Sequence, residues 1–338
     1  MKSRTDALHD SLLGGMIGDS LGLPSEGLKA TRLTKLRPSQ LSQCLLGKFG
    51  MVSDDTEHAL MTLQSLELES TNPDLFARTL GKKIRYWFAC VPAGIGMATA
   101  KSCIKLWLGI SPLNSGINSA GNGPTMRAGV IGVWFANDSK HREAMLDAST
   151  CISHTHPIAI DAARLIGCCA SLATRQICSI NQIIQELRST CLSDEFLPML
   201  DAIEPSLKKG DSLQAFSNRF CRREGFISGF ALESTTAAVY AWLKHRHDFQ
   251  AAIEAIIRCG GDTDTTAFVL GSISGIELTE DQYPSDWVAQ VRDWPINPAK
   301  IRNWKTIRYP SFPLTLIRNF VFFLIVIGHG FRRLLPPY

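Results

Sequence analysis

The chain of 338 residues lacks the features that mark several common classes of protein. Its net charge is only +4 and its basic residues are dispersed, so nucleic acid is not expected as a partner. None of its ten cysteines forms a CxxC pair, which argues against a zinc site and favours a reducing compartment, the cytoplasm. Residues 1–6 open no apolar segment, so a secretory signal is not expected.

The sequence also has almost no period-two alternation of apolar residues, the pattern of a half-buried strand. Apolar residues instead recur at spacings of three and four, and this pattern predicts an all-α protein. The length allows one large domain or two smaller ones. We expect helices from about residue 6 into the twenties, directly after residue 53, over residues 74–90, 94–110, 124–137, 140–152, 157–174, 233–243 and 248–258, and directly after residue 262.

Three other segments carry weaker structural signals. Residues 29–50 have the composition of a polar connection, whereas residues 176–230 show helical periodicity without any chemistry that stands out. In the mostly polar segment near residues 286–304, Trp287, Trp294 and Trp304 are expected to serve as packing anchors.

A carboxylate cluster follows the turn formed by Gly260 and Gly261. Asp262 and Asp264 lie two positions apart among threonines, and an apolar run follows them, which predicts the first turn of a helix. A helix cap needs one side-chain oxygen, whereas this stretch supplies five in a row. Such a density of oxygen ligands suits Mg²⁺ or Mn²⁺. A capped helix with a polar first turn explains the same residues.

A second cluster of this kind, Ser53-Asp54-Asp55-Thr56, opens another predicted helix. The positive end of the helix dipole partly offsets the repulsion between adjacent carboxylates, but it does not explain why the arrangement occurs twice. A cation shared by the two clusters does explain why carboxylates gather at both helix starts. The two clusters together supply enough oxygen atoms for two metal ions, and the fold must then bring two helix N-termini face to face.

The first predicted helix contains four glycines at positions 14, 15, 18 and 22, which are unfavourable inside a helix. We therefore expect another element, or a ligand, to approach this backbone closely. Asp19 lies among these glycines. Glu26 follows in a loop, where functional acids are often presented, although a solvated loop carboxylate is the alternative.

Two further loops precede predicted helices. Residues 110–124 are rich in Gly, Asn and Ser, and they form either an anion cradle of backbone N–H groups or only a turn. Arg127, just beyond, would either reach an anion or brace the loop. His154 and His156 would bind metal, contact a ligand or brace their own loop, and the oxygen-rich clusters elsewhere argue against metal.

The tail, residues 306–338, differs from the rest. Residues 320–327 form an unbroken apolar run flanked by Arg318, Arg332 and Arg333. This segment would dock on the protein's own body or on a second subunit, or lie on an anionic membrane surface through residues 316–333. A third alternative is that it spans a membrane poorly, because it is short and a spanning helix needs about twenty apolar residues. The sequence does not separate the first two alternatives, which are favoured.

Five short motifs together resemble, in order, the signatures of the ADP-ribosylglycohydrolases. They are residues 14–22 with Glu26, residues 53–56, residues 121–127, residues 153–157 and residues 261–265. Each motif is weak alone, whereas the ordered set is highly specific. The resemblance implies a single compact all-α domain of orthogonally packed helices over residues 1–305, with a dinuclear Mg²⁺ or Mn²⁺ centre in a cleft. It implies hydrolysis of the glycosidic bond between ADP-ribose and a modified protein or small molecule.

The resemblance also implies roles for individual residues. The two metal ions would be held by Ser53, Asp54, Asp55, Asp262, Asp264 and Thr265. The ADP-ribose part of the substrate would contact Ser119, Gly121, Asn122, Gly123, Met126 and His154. Glu26 would lie on a mobile loop over the cleft. Glu26, Asp55 and Asp264 are the candidates for catalysis, because hydrolysis of a ribosyl bond requires a carboxylate that moves a proton.

One position departs from the family pattern. Many relatives carry an Asp in a Pro-x-Asp-x-Gly setting, whereas here residues 92–96 place Gly94 at that position. If that Asp assists ring opening on arginine-linked substrates, this activity is in doubt here. A serine-linked, other O-linked or small-molecule ADP-ribose substrate becomes the better expectation.

Two other functions compete with this one. The first is a non-catalytic member of the same fold that binds ADP-ribose or has a structural role, as lens crystallins of this family do. The second is a Mg²⁺-dependent phosphohydrolase on an unrelated helical fold. Retention of every expected ligand position favours the enzyme over the former, and the ordered motifs favour it over the latter.

Overall fold

The computed structural model describes residues 2–336. Within this range the chain forms seventeen α-helices and no β-strand, which confirms the predicted all-α class. The helices are α1 (Arg4–Gly22), α2 (Ala30–Leu36), α3 (Asp54–Leu68), α4 (Pro73–Ala89), α5 (Met97–Trp107), α6 (Thr125–Trp134), α7 (Ser139–Cys151), α8 (Pro157–Thr174), α9 (Ile180–Thr190), α10 (Leu197–Lys209), α11 (Leu213–Ser217), α12 (Ala231–Lys244), α13 (Phe249–Arg258), α14 (Thr263–Ser274), α15 (Ser285–Ala289), α16 (Pro298–Ile301) and α17 (Phe312–Arg332).

The glycines of α1 allow α14 to pack against it, antiparallel, with their backbones in contact. A Cβ atom at Gly18 would lie 2.1 Å from the Ala267 carbonyl oxygen. A Cβ atom at Gly22 would lie 2.3 Å from the carbonyl oxygen of Thr263. No L side chain fits at such distances, so the predicted close approach of another element is confirmed. The pairing sets the end of α1 beside the start of α14.

The α1–α14 pair lies at the centre of the core, and α3, α6, α8, α12 and α13 pack around it. Helix α1 is buried continuously from Ala7 to Gly22, because it is covered on all sides by other helices. The predicted anchors Trp287 and Trp304 are buried. The prediction for Trp294 was wrong, since its side chain is 45% exposed. Its neighbour Asp293 takes the inward position and bonds to Arg318.

The predicted polar connection over residues 29–50 contains a helix that was missed. Helix α2 spans Ala30–Leu36 and buries Leu33 and Leu36. These leucines lie three positions apart among charged residues. Two apolar positions in a seven-residue helix are too few to establish a helical period.

The C-terminal helix α17 docks on the body of the protein along one narrow stripe, formed by Thr315, Asn319, Phe322 and His329. The Asn319 side-chain amide donates to the Cys90 carbonyl oxygen across 2.7 Å. This contact with the chain's own body is the first of the alternatives for the tail. Two helices, α8 and α17, have the length and apolar composition to cross a membrane, but α8 is mostly buried in the core whereas α17 is mostly exposed.

Candidate active site

A carboxylate from α1 caps the N-terminus of α3. Asp19 accepts hydrogen bonds from the backbone N–H of Ser53 at 3.0 Å, and from the backbone N–H and the hydroxyl of Thr56. Burial raises the pKa of the Asp19 carboxyl group to about 7, although these hydrogen bonds oppose the rise. Sequence reasoning gave Asp19 no role. The only signal was its position among the glycines of α1.

The N-termini of α3 and α14 meet, as the proposed two-cluster site requires. The Thr265 hydroxyl donates a hydrogen bond to Asp55 Oδ2 across 3.1 Å, and the Ser53 hydroxyl donates to the same oxygen at 3.2 Å. Asp262 occupies the N-cap position of α14 but makes no side-chain capping bond. Its Oδ2 instead accepts from the side-chain amide of Asn122 at 2.8 Å. Asp262 is therefore available for a role other than capping.

Two buried carboxylate oxygen atoms at this junction have no hydrogen-bond partner in the described part of the chain. They are Oδ1 of Asp55 and Oδ1 of Asp264. Across residues 2–336, neither carboxylate forms an ion pair with lysine or arginine. A buried carboxylate that is left unpaired is strongly unfavourable. These atoms therefore point to a positively charged group that the chain itself does not supply.

Burial and mutual repulsion shape the electrostatics of the cluster. Burial is the larger cause that raises the pKa values of Asp54, Asp55 and Asp264 well above their usual range. The negative charges of neighbouring acids, Asp19 among them, add to each rise. A cation placed among these groups would lower their pKa values and remove the repulsion.

The side chains in this cluster could bind hard divalent cations only if hydroxyl groups serve as ligands together with the carboxylates. Among residues 2–336, no three His, Cys, Asp or Glu side chains converge as a set of metal ligands. The hydroxyls of Ser53 and Thr265, however, both lie within hydrogen-bond distance of Asp55 Oδ2. Carboxylate and hydroxyl oxygens are the ligand type that Mg²⁺ and Mn²⁺ prefer.

Glu26 lies at the rim, in a loop that is bonded on both sides. The backbone N–H of Gly27 donates to the Gly261 carbonyl oxygen at 2.8 Å. From the other side, Arg333 donates to the Glu26 carbonyl oxygen at 2.6 Å, and His329 of α17 contacts the Pro24 carbonyl oxygen at 3.1 Å. The Glu26 side chain is exposed. The surrounding protein and the charge of Asp262 raise the pKa of Glu26, and Arg333 partly opposes the rise.

The loop before α6 presents fewer free backbone donors than its composition predicts. The N–H of Gly121 bonds to the Ser119 hydroxyl, and the N–H of Asn122 donates to the Gly229 carbonyl oxygen at 2.9 Å. The loop still lines the cleft, as does Met126 at the start of α6. Side-chain donors therefore have to supply part of any anion contact here.

His154 is such a donor, and its surroundings favour the tautomer in which the Ser153 hydroxyl donates to Nδ1. Arg127 donates to the Ser153 hydroxyl at 2.8 Å, so this hydroxyl is free to donate to His154 Nδ1 at 2.9 Å. The proton of the neutral ring then lies on Nε2, which faces Gly121 and Gly123. Burial, with the nearby Arg127 charge, lowers the pKa of His154 to about 3. The ring is a neutral donor at physiological pH.

The remaining alternatives for this region are decided by contacts. Arg127 is fully buried and also bonds Ser149, so it braces the loop rather than reaching into the cleft. His156 caps α8 by accepting from the Ile158 N–H. Of the two histidines, only His154 lines the cleft.

Gly94 also lines the cleft. Its φ of +80° is a left-handed conformation that favours glycine, and a Cβ atom there would lie 4.0 Å from Asp54 Oδ1. A carboxylate at this position would therefore stand directly beside the acidic cluster.

These elements enclose one cleft of about 320 Å³, within the range of small-molecule sites. The predicted site residues that line it are Glu26, Asp54, Ser119, Gly121, Asn122, Gly123, Met126, His154, Asp262, Asp264 and Thr265. Ser53 and Asp55 are buried beside it, at the start of α3. Sequence reasoning missed Thr99, Met97 and Gly229, which also line the cleft and carried no recognisable signal.

Comparison with known proteins agrees with this geometry. A model of the family described as ADP-ribosylglycohydrolase matches residues 1–308. The chain is 24% identical to ADP-ribosylhydrolase ARH3 of Gallus gallus, over 82% of this chain and 86% of that protein. It is 23% identical to the ADP-ribosyl-[dinitrogen reductase] glycohydrolase of Rhodospirillum rubrum, over 84% of this chain and 91% of that one. A solved structure titled ADP-ribosylglycohydrolase-related protein complex superposes with a TM-score of 0.67 at 20% identity, covering 94% of this chain and 99% of its own, and it supports the fold.

Proposed function

Because the chain belongs to the ADP-ribosylglycohydrolase family, we propose that it hydrolyses the glycosidic bond between ADP-ribose and a protein or small-molecule acceptor, with two Mg²⁺ or Mn²⁺ ions as cofactors. One observation carries the proposal. The cleft has an acidic end, lined by Asp264 with Asp55 buried beside it, where both hold buried oxygen atoms without partners, and a neutral end, where His154 and Ser119 present donors.

The acidic end is where the ions would bind. The residues that would hold them are Ser53, Asp54, Asp55, Asp262, Asp264 and Thr265. Bound ions would supply Lewis-acid chemistry: they would orient ribose hydroxyls and lower the pKa of a water molecule. Asn122 holds Asp262 in place, and Asp19 fixes the start of α3, so the protein orients the ligand set before any ion arrives.

The neutral end suits the diphosphate of ADP-ribose. A diphosphate needs hydrogen-bond donors rather than more carboxylates. His154 Nε2–H and the Ser119 hydroxyl supply them, and the glycines at 121 and 123 leave space for the imidazole, which a Cβ atom at Gly123 would approach to 3.0 Å. The ribose next to the scissile bond would then extend toward the acidic end.

Glu26 fits the proton transfer that hydrolysis requires. Water must lose a proton as it attacks the anomeric carbon, and the departing acceptor must gain one. Asp55 and Asp264 are buried in the cluster, whereas the Glu26 carboxyl group is exposed at the rim and has a raised pKa. A carboxyl group with a raised pKa exchanges protons effectively near neutral pH.

The acceptor is proposed to be serine, another hydroxyl or a small molecule rather than arginine, since position 94, where a Cβ atom would lie 4.0 Å from Asp54 Oδ1, carries a glycine and no carboxylate. The test is a panel of arginine-, serine- and O-acetyl-linked ADP-ribose substrates, with released ADP-ribose as the readout. We expect fast release from an oxygen-linked member. Tight binding of ADP-ribose with no release from any linkage would instead identify a non-catalytic binding protein. Release of phosphate without free ADP-ribose would identify a phosphohydrolase.

A further inference from the structure

Helix α17 departs from the pattern of a helix on the surface of a soluble protein, although Phe322, Ile325 and Val326 pack with Leu23 and Leu45 on its inner side. Of the four side chains in its buried stripe, three are polar: Thr315, Asn319 and His329. Its outward residues are large and apolar, between 40% and 68% exposed: Phe312, Leu314, Ile317, Phe320, Val321, Phe323, Leu324, Ile327 and Phe331. A soluble helix normally buries its apolar stripe and exposes its polar one. The outer face of α17 is therefore built for an apolar environment.

Basic side chains gather at the C-terminal end of this helix. Arg32 of α2 donates to the Arg333 carbonyl oxygen at 3.1 Å, which brings α2 beside the end of α17. Lys29, Arg32 and Lys35 recur every third residue at or within α2 and are all exposed. With Arg332 and Arg333 they form a basic cluster, residues 29, 32, 35, 332 and 333. Helix α17 itself contains no aspartate or glutamate.

Amphipathic aromatic side chains border the outer face. Trp294 is 45% exposed and shares an apolar groove along α17 with Leu314 and Ile317. Tyr86 is 43% exposed and packs edge-on against Phe312, with ring centroids 6.4 Å apart. Trp and Tyr are enriched where hydrocarbon meets water. The exposure of Trp294, which contradicts a role as a core anchor, is consistent with such a boundary.

We propose that the outer face of α17 lies on the surface of an anionic phospholipid bilayer. The apolar side chains enter the boundary between headgroups and acyl chains, and the basic cluster contacts the lipid phosphates. Since α17 also contacts the carbonyl oxygens of Pro24 and Cys90, docking places the rim of the cleft close to the membrane surface.

The helix lies along the bilayer and does not cross it, because its inner stripe is tied to the protein. Arg318 forms ion pairs with Glu57 and Asp293, both at 2.8 Å and all buried. Crossing would break these pairs and carry Arg318, Asn319 and His329 into hydrocarbon, where charged and polar groups are strongly unfavourable.

The charge distribution favours lipid over a second copy of the chain. Two copies joined through parallel α17 helices would bring one basic cluster against another. Antiparallel helices would bring it near the exposed Arg308 and near Lys305, which is paired with Glu67. With no acid on α17, neither arrangement supplies the net negative charge that anionic lipid does.

Flotation of the full chain with phospholipid vesicles tests the proposal. We expect the protein to float with vesicles of phosphatidylcholine and phosphatidylglycerol in equal parts. Vesicles of phosphatidylcholine alone should weaken binding, because this lipid is a zwitterion without net negative charge. High salt should also weaken it, because salt screens the attraction between the basic cluster and the anionic surface. The variant Phe320→Gln/Leu324→Gln should weaken binding by about tenfold or more, since two side chains lose their apolar burial. Both positions are at least 50% exposed, so the fold does not depend on them.

The matched control is Leu192→Gln, which changes an exposed leucine outside α17 and should leave flotation unchanged. Melting curves confirm that both variants remain folded. Absence of flotation with anionic vesicles overturns the proposal, as does an equal loss in the control. A dimer that dissociates only in the Phe320→Gln/Leu324→Gln variant would assign this face to a second copy instead. Resistance to extraction by alkaline carbonate would show a spanning helix and overturn surface docking.

Discussion

Thr265 donates a hydrogen bond to Asp55 Oδ2 across 3.1 Å, and this contact joins two helix N-termini that are 210 residues apart in the chain. The positive ends of the α3 and α14 dipoles thus face a shared group of carboxylates. Two dipole ends offset only part of that charge. The unpartnered oxygen atoms of Asp55 and Asp264 mark what is left uncompensated.

The first prediction concerns metal binding and stability. In chelator, Asp264→Asn should stabilise the protein, by on the order of 1 kcal/mol, because it removes one of several mutually repelling buried carboxylates. Mn²⁺ should raise the melting temperature of the parent chain, by an amount equivalent to about 2.7 kcal/mol at a hundredfold excess over the dissociation constant. The variant should lose most of this rise.

Thermal unfolding with and without Mn²⁺ measures both effects. Asp286→Asn, which changes an exposed acid outside the cleft, is the control and should behave as the parent does. A metal-dependent rise that survives intact in Asp264→Asn would show that the ion binds elsewhere.

Much of this site follows from local sequence. Two clusters each predict the start of a helix and supply more side-chain oxygen atoms than a helix cap needs: Asp54-Asp55 and Asp262-Thr263-Asp264. The glycines of α1 predict that the backbone of another element packs closely against this helix, and that element is α14. That the two carboxylate clusters lie side by side was expected from the ordered motifs, which resemble those of the family. The spacing of the clusters in the chain does not predict it.

The parts that sequence did not reveal depend on tertiary contacts. Asp19 is one acid among many until the fold places it under the N-terminus of α3. The sequence suggests that the N–H groups of Gly121 and Asn122 are available to a ligand. In the structure they donate to the Ser119 hydroxyl and the Gly229 carbonyl oxygen. Trp294 faces outward because Asp293 occupies the inward position, and periodicity cannot show this in an irregular segment.

The second prediction concerns the acceptor. Gly94→Asp should increase the rate on arginine-linked ADP-ribose relative to serine-linked ADP-ribose by about tenfold or more, because it adds a carboxylate beside Asp54 that is able to exchange protons. Gly94→Asn has nearly the same shape without the charge, and both residues tolerate the left-handed backbone comparatively well. The ratio of the two rates should change in the Asp variant and not in the Asn variant. If the ratio of arginine-linked to serine-linked rates is the same in the parent and both variants, Gly94 does not determine acceptor specificity.

The third prediction concerns the contact between the tail and the Glu26 loop. Arg333→Ala removes the hydrogen bond to the Glu26 carbonyl oxygen and should loosen that loop. Backbone amide exchange over residues 23–28 should become faster, and turnover should fall by about threefold to tenfold, because the loop positions Glu26, the carboxylate proposed to transfer the proton. Arg308→Ala is the matched control, since Arg308 is an exposed arginine that donates to the Ile307 carbonyl oxygen before α17. If exchange over residues 23–28 is the same in both variants, Arg333 does not order this loop.

The fourth prediction concerns acid stability. A histidine has a pKa of about 6.5 when unfolded, whereas the folded pKa of His154 is about 3. Below pH 6.5 the His154 ring therefore binds a proton in the unfolded chain but stays neutral in the folded protein. The free energy of unfolding falls as the pH drops. Between pH 7 and pH 5 this histidine accounts for a fall of about 2 kcal/mol. His154→Gln should reduce the fall by that amount.

Denaturant unfolding at the two pH values measures the difference, and the carboxylate contributions cancel in the comparison with the parent. His141→Gln, at an exposed position, is the control. A variant at position 154 that loses as much stability as the parent between pH 7 and pH 5 would mean that the His154 ring is protonated in the folded state.

ADP-ribose release from the best substrate of the panel tests whether a metal-loaded acidic cluster performs the hydrolysis. We expect a chelator to abolish release, Mg²⁺ or Mn²⁺ to restore it, and Asp264→Asn to remain inactive under every condition. Release that continues unchanged in chelator, or that Asp264→Asn retains in full, would show that hydrolysis does not depend on this cluster.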